Sequence, residues 1–207
     1  MLSLSKHETE EQMPEAQRQI TPADILSALE YDQQRAALKK NLLPLKKSRR
    51  VEVGPFATFY FENYATMWLQ VQEMLRIEKG GAEQLAGELE AYNPLIPQGD
   101  ELIATMMLEI VDGERRAATL LTLGGIEESA FLEIGAERVL ATPTQYDDRT
   151  TPDGKTSSVH WLRFTLTPEQ IARFRTERVV LGIAHKNYGH MAVLSDETRA
   201  ALAKDFV

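Results

Sequence analysis

The sequence contains no cysteine, and this absence removes several kinds of site at once. A chain without thiols has no disulfide, no thiol nucleophile and no cysteine ligand for an iron–sulfur cluster or a zinc ion. The lack of cysteine is also typical of proteins from a reducing compartment. Carboxylates and the four histidines are therefore the side chains left to carry chemistry or to hold a metal.

Long apolar runs and well-known catalytic motifs are missing as well. No apolar run reaches the roughly 18 residues of a membrane span, and the first residues, MLSLSKHETEEQ, lack the apolar core of a signal peptide. The chain has no phosphate-binding P-loop, no dinucleotide glycine fingerprint and no nucleophile elbow. Its net charge of −8 argues against general binding to nucleic acid or to an anionic membrane. We therefore expect a cytoplasmic protein with neither kind of partner.

The 207 residues are enough for one domain with a short appendage. Residues 1–20 are polar and without periodicity, which predicts a disordered tail, and residues 21–207 are expected to form a single domain. Hairpin patterns alternate with helical patterns and lack a strict strand–helix–strand rhythm. This order favours an α+β fold with a mainly antiparallel sheet of about seven strands and helices packed on it. A doubly wound parallel α/β fold is the alternative.

Capping residues and turn signals place several elements along the chain. Thr21 and Pro22 suit the start of a helix that is expected to end near Lys40. The basic run LKKSRR, residues 45–50, is interpreted as a solvated lead-in to a strand. Thr167 and Ser195 have the chemistry of N-caps for two later helices.

The helical stretch MWLQVQEMLRIEKG, residues 67–80, carries polar side chains on an arc flanked by Leu69 and Ile77. The polar residues that form this candidate binding surface are Gln72, Glu73, Arg76 and Glu78. A helix that is apolar on most sides is usually covered, so its polar groups need partners from the protein or from a ligand. The three-residue spacing of Glu73 and Arg76 predicts an ion pair covered by another element.

Two histidines near the end of the chain form the candidate metal site. If a four-residue loop joins the last two strands, His185 and His190 lie opposite each other and could share a divalent metal with a carboxylate from elsewhere. The alternative is a hydrogen-bonded or stacked pair of rings. His160 lies on an apolar strand face, which favours a hydrogen-bonded core histidine. Glu62 and Asn63 are equal candidates to cap the helix that follows them.

Several segments together resemble a bacterial protein family known only as a domain of unknown function. The most specific are QVQEMLR, residues 70–76, and YNPLIPQGDEL, residues 92–102, and the likeness extends from about Ile20 to Val207. The resemblance implies no reaction. It does imply an association with rubrerythrin and with heterodisulfide-reductase-like iron–sulfur proteins, and so with iron or peroxide redox metabolism.

Two functional hypotheses follow. The first is a non-catalytic binding or accessory protein for iron or peroxide redox partners, such as an iron–sulfur or rubrerythrin-like protein. The second is a small metal-dependent enzyme or metalloprotein that uses glutamate and histidine ligands.

Overall fold

The computed structural model describes residues 18–144, 150–151 and 154–207. Residues 1–17 of the expected disordered tail lie outside this description. The α-helices of the described ranges are α1 (Ala28–Ser48), α2 (Tyr64–Glu78), α3 (Gly81–Tyr92), α4 (Gly113–Leu120), α5 (Pro168–Thr176) and α6 (Asp196–Leu202). The strands are β1 (Arg50–Val53), β2 (Ala57–Phe61), β3 (Glu101–Leu108), β4 (Ala130–Ile134), β5 (Glu137–Leu140), β6 (Thr142–Pro143), β7 (Val159–Thr165), β8 (Val179–His185) and β9 (Tyr188–Val193). In these ranges no helix combines the length and the apolar character that crossing a bilayer requires.

The strands form two antiparallel sheets, which confirms the α+β class. One sheet has the order β1-β2-β3-β7-β6 and the other the order β5-β4-β8-β9. The strands are mainly antiparallel as predicted, but the nine described strands form two sheets where one sheet of about seven was expected. Sheet membership depends on pairing between distant segments that local alternation does not encode. The parallel α/β alternative is wrong, since every pairing between the described strands is antiparallel.

The main core lies between the two sheets. Alternate residues of each strand point to one face, and most of those on the inner faces are almost fully buried. Phe59 and Phe61 of β2 and Phe164 of β7 belong to the same cluster as Leu132 of β4 and Leu181 of β8. The five-stranded sheet therefore has one face covered by the second sheet and needs helices to cover the other.

A smaller core lies on this outer face of the five-stranded sheet. Met67 and Val71 of α2 pack there with Ile103 of β3, and Ile96 lies in the same cluster. Ile20, the last residue of the expected tail, is buried in this cluster, and its N–H donates to Asn93 Oδ1 at 2.8 Å.

The C-terminal end of α1 carries a buried arginine that the sequence pattern does not reveal. The helix does not end near Lys40 but continues to Ser48, so most of residues 45–50 is helical. Its C-cap, Arg49, is only 2% exposed. A solvated basic run is therefore the wrong interpretation for this position, because tertiary partners cover the guanidinium.

Arg49 joins the end of α1 to two other parts of the chain, the end of β2 and the C-terminal segment. Its Nε donates to the carbonyl of Phe61 at 3.0 Å, its Nη2 to that of Glu62 at 3.0 Å and its Nη1 to that of Ala201 at 3.2 Å. Both Nη groups also contact the carboxylate of Asp205, and the two side chains of this ion pair are each 3% exposed. The pair therefore ties the C-terminal segment to the end of β2.

We expect Arg49→Met to destabilise the protein by about 3–5 kcal/mol, because it leaves the Asp205 carboxylate buried without its cation. The double variant with Asp205→Leu should recover part of this loss, since no charge then remains unpaired. Urea unfolding at neutral pH measures both free energies. The matched control is Arg50→Met, whose exposed pair with Glu52 should be worth less than about 1 kcal/mol. An Arg49→Met protein as stable as the control would contradict this account.

Candidate functional site

A cavity of about 360 Å³ opens on the outer face of the five-stranded sheet, beside the N-terminal half of α2. We call it the outer-face cavity. The smaller core covers Ile103 of β3, whereas Thr105 and Met107 follow on the same strand face and line the cavity. The cavity wall also includes Lys46 of α1, Glu62 after β2, Met67 and Gln70 of α2, Tyr92 of α3 and Trp161 of β7.

Glu62 is the buried carboxyl group of this cavity, with 8% of its surface exposed, and Arg49, the buried cation on the same wall, is paired with Asp205. Its Oε2 lies 2.6 Å from Thr66 Oγ1, and its Oε1 lies 2.6 Å from Thr105 Oγ1. Asn63 is the residue that caps α2, because its Oδ1 accepts the N–H of Thr66 at 3.1 Å. Glu62 is thereby left to line the cavity.

The surroundings of Glu62 can accommodate its neutral form. Burial raises the pKa of the Glu62 carboxyl above its ordinary value, against the opposing effects of the Thr105 and Thr66 hydrogen bonds and of the Lys46 and Arg49 charges. The Thr66 hydroxyl has one proton and two acceptors within reach, Glu62 Oε2 and the carbonyl of Asn63 at 3.0 Å.

When Glu62 is ionised, the Thr66 hydroxyl can donate to Glu62. When Glu62 is protonated at Oε2, it can donate to Thr66 Oγ1, while the Thr66 hydroxyl donates to Asn63 O. The network can therefore hold or release one proton while each hydroxyl group keeps a hydrogen-bond partner.

The remaining walls combine an apolar surface with few polar groups. Met67, Met107 and Trp161 supply much of the apolar surface, and Lys46 adds an exposed cation. Pockets with mostly apolar walls and a few convergent polar groups are the usual sites for small molecules. The arrangement suits a compact molecule with an apolar body whose polar end reaches Glu62.

The predicted ion pair between Glu73 and Arg76 is absent, although Glu73 is covered as expected. Its carboxylate accepts from Tyr31 Oη at 2.5 Å, from Arg35 Nε at 2.6 Å and Nη2 at 2.7 Å, and from Lys39 Nζ at 3.3 Å. All three partners lie on α1, so the position of a neighbouring helix overrides the local spacing. The hydrogen bond from Arg35 is the main cause that lowers the pKa of Glu73 to about 2.

The other three residues of the predicted binding surface lie at different places. Arg76 forms a half-exposed pair with Asp32 of α1, Nε to Oδ1 at 2.6 Å. Glu78 accepts from Gln84 Nε2 at 3.3 Å. Gln72 is 2% exposed, and its Nε2 has no hydrogen-bond partner among the described residues. Gln72 and Arg76 line a second cavity, of about 490 Å³, whereas Glu73 and Glu78 do not line it.

The structure does not place His185 and His190 opposite each other. The turn between β8 and β9 has two residues, so His185 pairs with Tyr188 and His190 pairs with Ile183. The predicted four-residue loop is wrong, and this two-residue difference moves the partner of each histidine. The ring of His190 instead lies 4.5 Å from that of Tyr188. Across the described ranges, no group of three or more histidine, aspartate or glutamate residues is arranged to hold a metal ion.

His160 is a buried, hydrogen-bonded core histidine, as the sequence predicts. It is 1% exposed, and its Nε2 lies 2.9 Å from Ser157 O and 3.2 Å from Thr156 Oγ1. The outer-face cavity, in contrast, is not predicted from the sequence. An acidic residue directly after an aromatic strand is the one signal that points to Glu62.

Comparisons with known proteins identify a family and a fold, but they assign no reaction. A family model described as "Protein of unknown function (DUF3501)" matches residues 19–206. A crystal structure of a novel protein of unknown function from Burkholderia pseudomallei K96243 is similar, with 32% sequence identity and a TM-score of 0.84. The match covers 91% of this chain and 99% of that one. No protein with curated annotation matches.

We expect Glu73→Ala to lower the free energy of unfolding by about 2–4 kcal/mol, because it removes charge-assisted bonds and leaves the buried Tyr31 hydroxyl without its acceptor. Arg76→Ala, at a half-exposed pair, should cost less than about 1 kcal/mol. Double-mutant cycles by denaturant unfolding should give a large coupling energy for Glu73 with Arg35 and almost none for Glu73 with Arg76. A larger coupling energy for Glu73 with Arg76 than with Arg35 would disprove the pairing of Glu73 with α1.

The contribution of Glu73 should also depend on pH with a definite sign. Its pKa is lowered on folding, so the stabilisation is complete above the ordinary glutamate value of about 4.3 and is lost as the pH falls toward about 2. The difference in stability between the parent protein and Glu73→Gln should shrink over this interval.

Proposed function

We propose that this chain, which belongs to the family described as "Protein of unknown function (DUF3501)", is a non-catalytic protein that binds a small molecule in the outer-face cavity. The observation that carries this proposal is a carboxyl group with only 8% of its surface exposed on the wall of a cavity large enough for a ligand. Buried carboxyl groups are costly, so their position beside a cavity is a typical mark of a functional site.

The chemistry of the cavity favours a ligand with an apolar body and a hydrogen-bond donor or a positive charge at one end. The two threonine hydroxyls use part of the acceptor capacity of Glu62, and each carboxylate oxygen has a second lone pair. A donor placed there would compensate the burial of the carboxylate. Trp161 and Tyr92 supply aromatic surface for the body of the ligand, and an aromatic face also attracts a cation.

We also propose that the protein acts in iron or peroxide redox metabolism, because of the family resemblance. In that setting the protein would serve an iron–sulfur or rubrerythrin-like partner as an accessory that binds the ligand. The metalloprotein alternative drew part of its support from facing His185 and His190 side chains, and their register removes that part.

The test compares benzylamine, which is a cation at neutral pH, with neutral benzyl alcohol as probes of the cavity. We expect the protein to prefer benzylamine, and Glu62→Gln to remove this preference by weakening benzylamine binding about tenfold or more, since a charge-assisted hydrogen bond is lost. Chemical-shift mapping should locate both probes at residues around Thr105 and Trp161.

Glu133→Gln is the matched control, because it makes the same change of charge on the other sheet, where Glu133 pairs with Arg138. It should bind benzylamine like the parent protein. Equal binding of benzylamine by Glu62→Gln and by the control would contradict the role of Glu62. Shifts confined to another surface would contradict the role of the cavity.

A further inference from the structure

We propose that the edge strand β9 pairs with β9 of a second copy of this chain, so that two four-stranded sheets join into one continuous sheet. β9 ends the four-stranded sheet, and its only partner among the described strands is β8. An edge strand presents unpaired backbone N–H and C=O groups, which are a template for another strand. This surface lies on the second sheet, so the proposal does not depend on the ligand of the outer-face cavity.

The backbone groups of β9 point alternately toward β8 and toward the open edge. The N–H of Leu194 donates to the carbonyl of Val179 at 2.9 Å, so Leu194 and every second residue before it face β8. Gly189, Met191 and Val193 therefore direct their N–H and C=O groups away from β8. None of these groups has a hydrogen-bond partner in the part of the chain that the structure describes. They form a regular row of donors and acceptors for a further strand.

The other edge strands carry features that usually prevent such pairing, and β9 does not. β1 carries Arg50 and Glu52, β5 carries Glu137 and Arg138, and β6 contains Pro143. Charged side chains and proline on an edge strand oppose pairing with another chain. The sequence of β9, YGHMAV, includes no lysine, arginine, acidic residue or proline. Its edge is therefore open to a second strand, whereas the other edges are protected.

β9 also exposes apolar side chains beside its open edge. Met191 is 65% exposed and Val193 is 55% exposed. Their neighbours on β8 alternate with Leu181 and Ile183, which belong to the core between the sheets, so Met191 and Val193 lie on the outer face of the four-stranded sheet. Pairing with a second strand would remove part of this apolar surface from water, which is favourable in proportion to the area buried.

The strand is complementary to itself in the antiparallel register centred on Met191. A two-fold axis at Met191 places this residue opposite its own copy and Gly189 opposite Val193, and all three have their backbone groups on the open edge. In the same register the turn that carries Lys186 lies beside the start of α6 in the second copy, where Asp196 is exposed. Opposite charges then meet at both ends of the paired strands, and no like charges face each other within β9. This self-complementarity favours a second copy of the chain over an unrelated strand.

Pairing through one strand produces a small interface. Such an interface lies below the roughly 1,200 Å² that stable protein complexes bury. We therefore expect a reversible monomer–dimer equilibrium, with a dissociation constant of about 100 μM.

The experiment measures the oligomeric state of the full-length chain by sedimentation velocity between about 10 μM and about 0.5 mM. We expect the parent protein to shift from monomer to dimer over this interval. Met191→Lys and Val193→Lys should each raise the dissociation constant about tenfold or more, because a lysine on an edge strand opposes pairing. Both side chains are exposed in the monomer, so these variants should fold like the parent protein, which circular dichroism checks.

The matched control is Leu140→Lys. Leu140 is 62% exposed and lies on β5, the opposite edge of the same sheet. The control makes the same kind of substitution away from β9 and should dimerise like the parent protein. In the parent protein, hydrogen exchange of the Met191 and Val193 amides should also slow as the concentration rises, because these N–H groups become paired in the dimer.

Two results would overturn the proposal. The first is a parent protein that stays monomeric at about 0.5 mM, which would leave the open edge to a strand of a different protein. The second is a dimer that Met191→Lys and Val193→Lys weaken no more than Leu140→Lys does, with unchanged exchange at the Met191 and Val193 amides. That result would place the dimer interface on another surface.

Discussion

The position of α2 depends on the carboxylate of Glu73, and both cavities depend on the position of α2. Glu73 receives a hydroxyl group and two cations from α1, which holds the two helices side by side. In this position α2 covers only part of the outer face of the five-stranded sheet. The uncovered part of the sheet forms the outer-face cavity, and the space between α2, α3 and the start of α1 forms the second cavity.

The two faces of the five-stranded sheet explain why function is expected on one of them. The inner face is closed by the second sheet and holds the large apolar core. The outer face carries Glu62 and Thr105 at positions where a fully covered sheet would favour apolar side chains. Buried polar groups weaken a structure unless they are paired, so their concentration beside a cavity fits a binding role better than a structural one.

The sequence was sufficient to predict features that depend on neighbouring residues. Thr167 and Ser195 cap α5 and α6 as expected, because an N-cap needs only its own helix. The α+β class follows from hairpins and helices in alternation. The burial of His160 also follows from the alternation of its strand.

Features that depend on distant segments could not be predicted in the same way. The partners of Glu73 lie on α1, and the partner of Arg49 lies near the C-terminus, so neither spacing nor composition reveals them. The His185–His190 pair depended on the length of one turn, and a turn of two residues instead of four was enough to separate them. The candidate binding residues all lie on α2, yet the packing of α1 and α3 gives them different partners.

The most direct test of the central claim is the titration of the Glu62 carboxyl by ¹³C NMR, with and without benzylamine. We expect the pKa of Glu62 to lie above the ordinary glutamate value of about 4.3 in the free protein, because burial disfavours the charged form. Benzylamine should lower this pKa, since a bound cation stabilises the carboxylate. A Glu62 pKa at or below the ordinary value, unchanged by benzylamine, would contradict the claim that this buried carboxyl is the ligand-binding group of the protein.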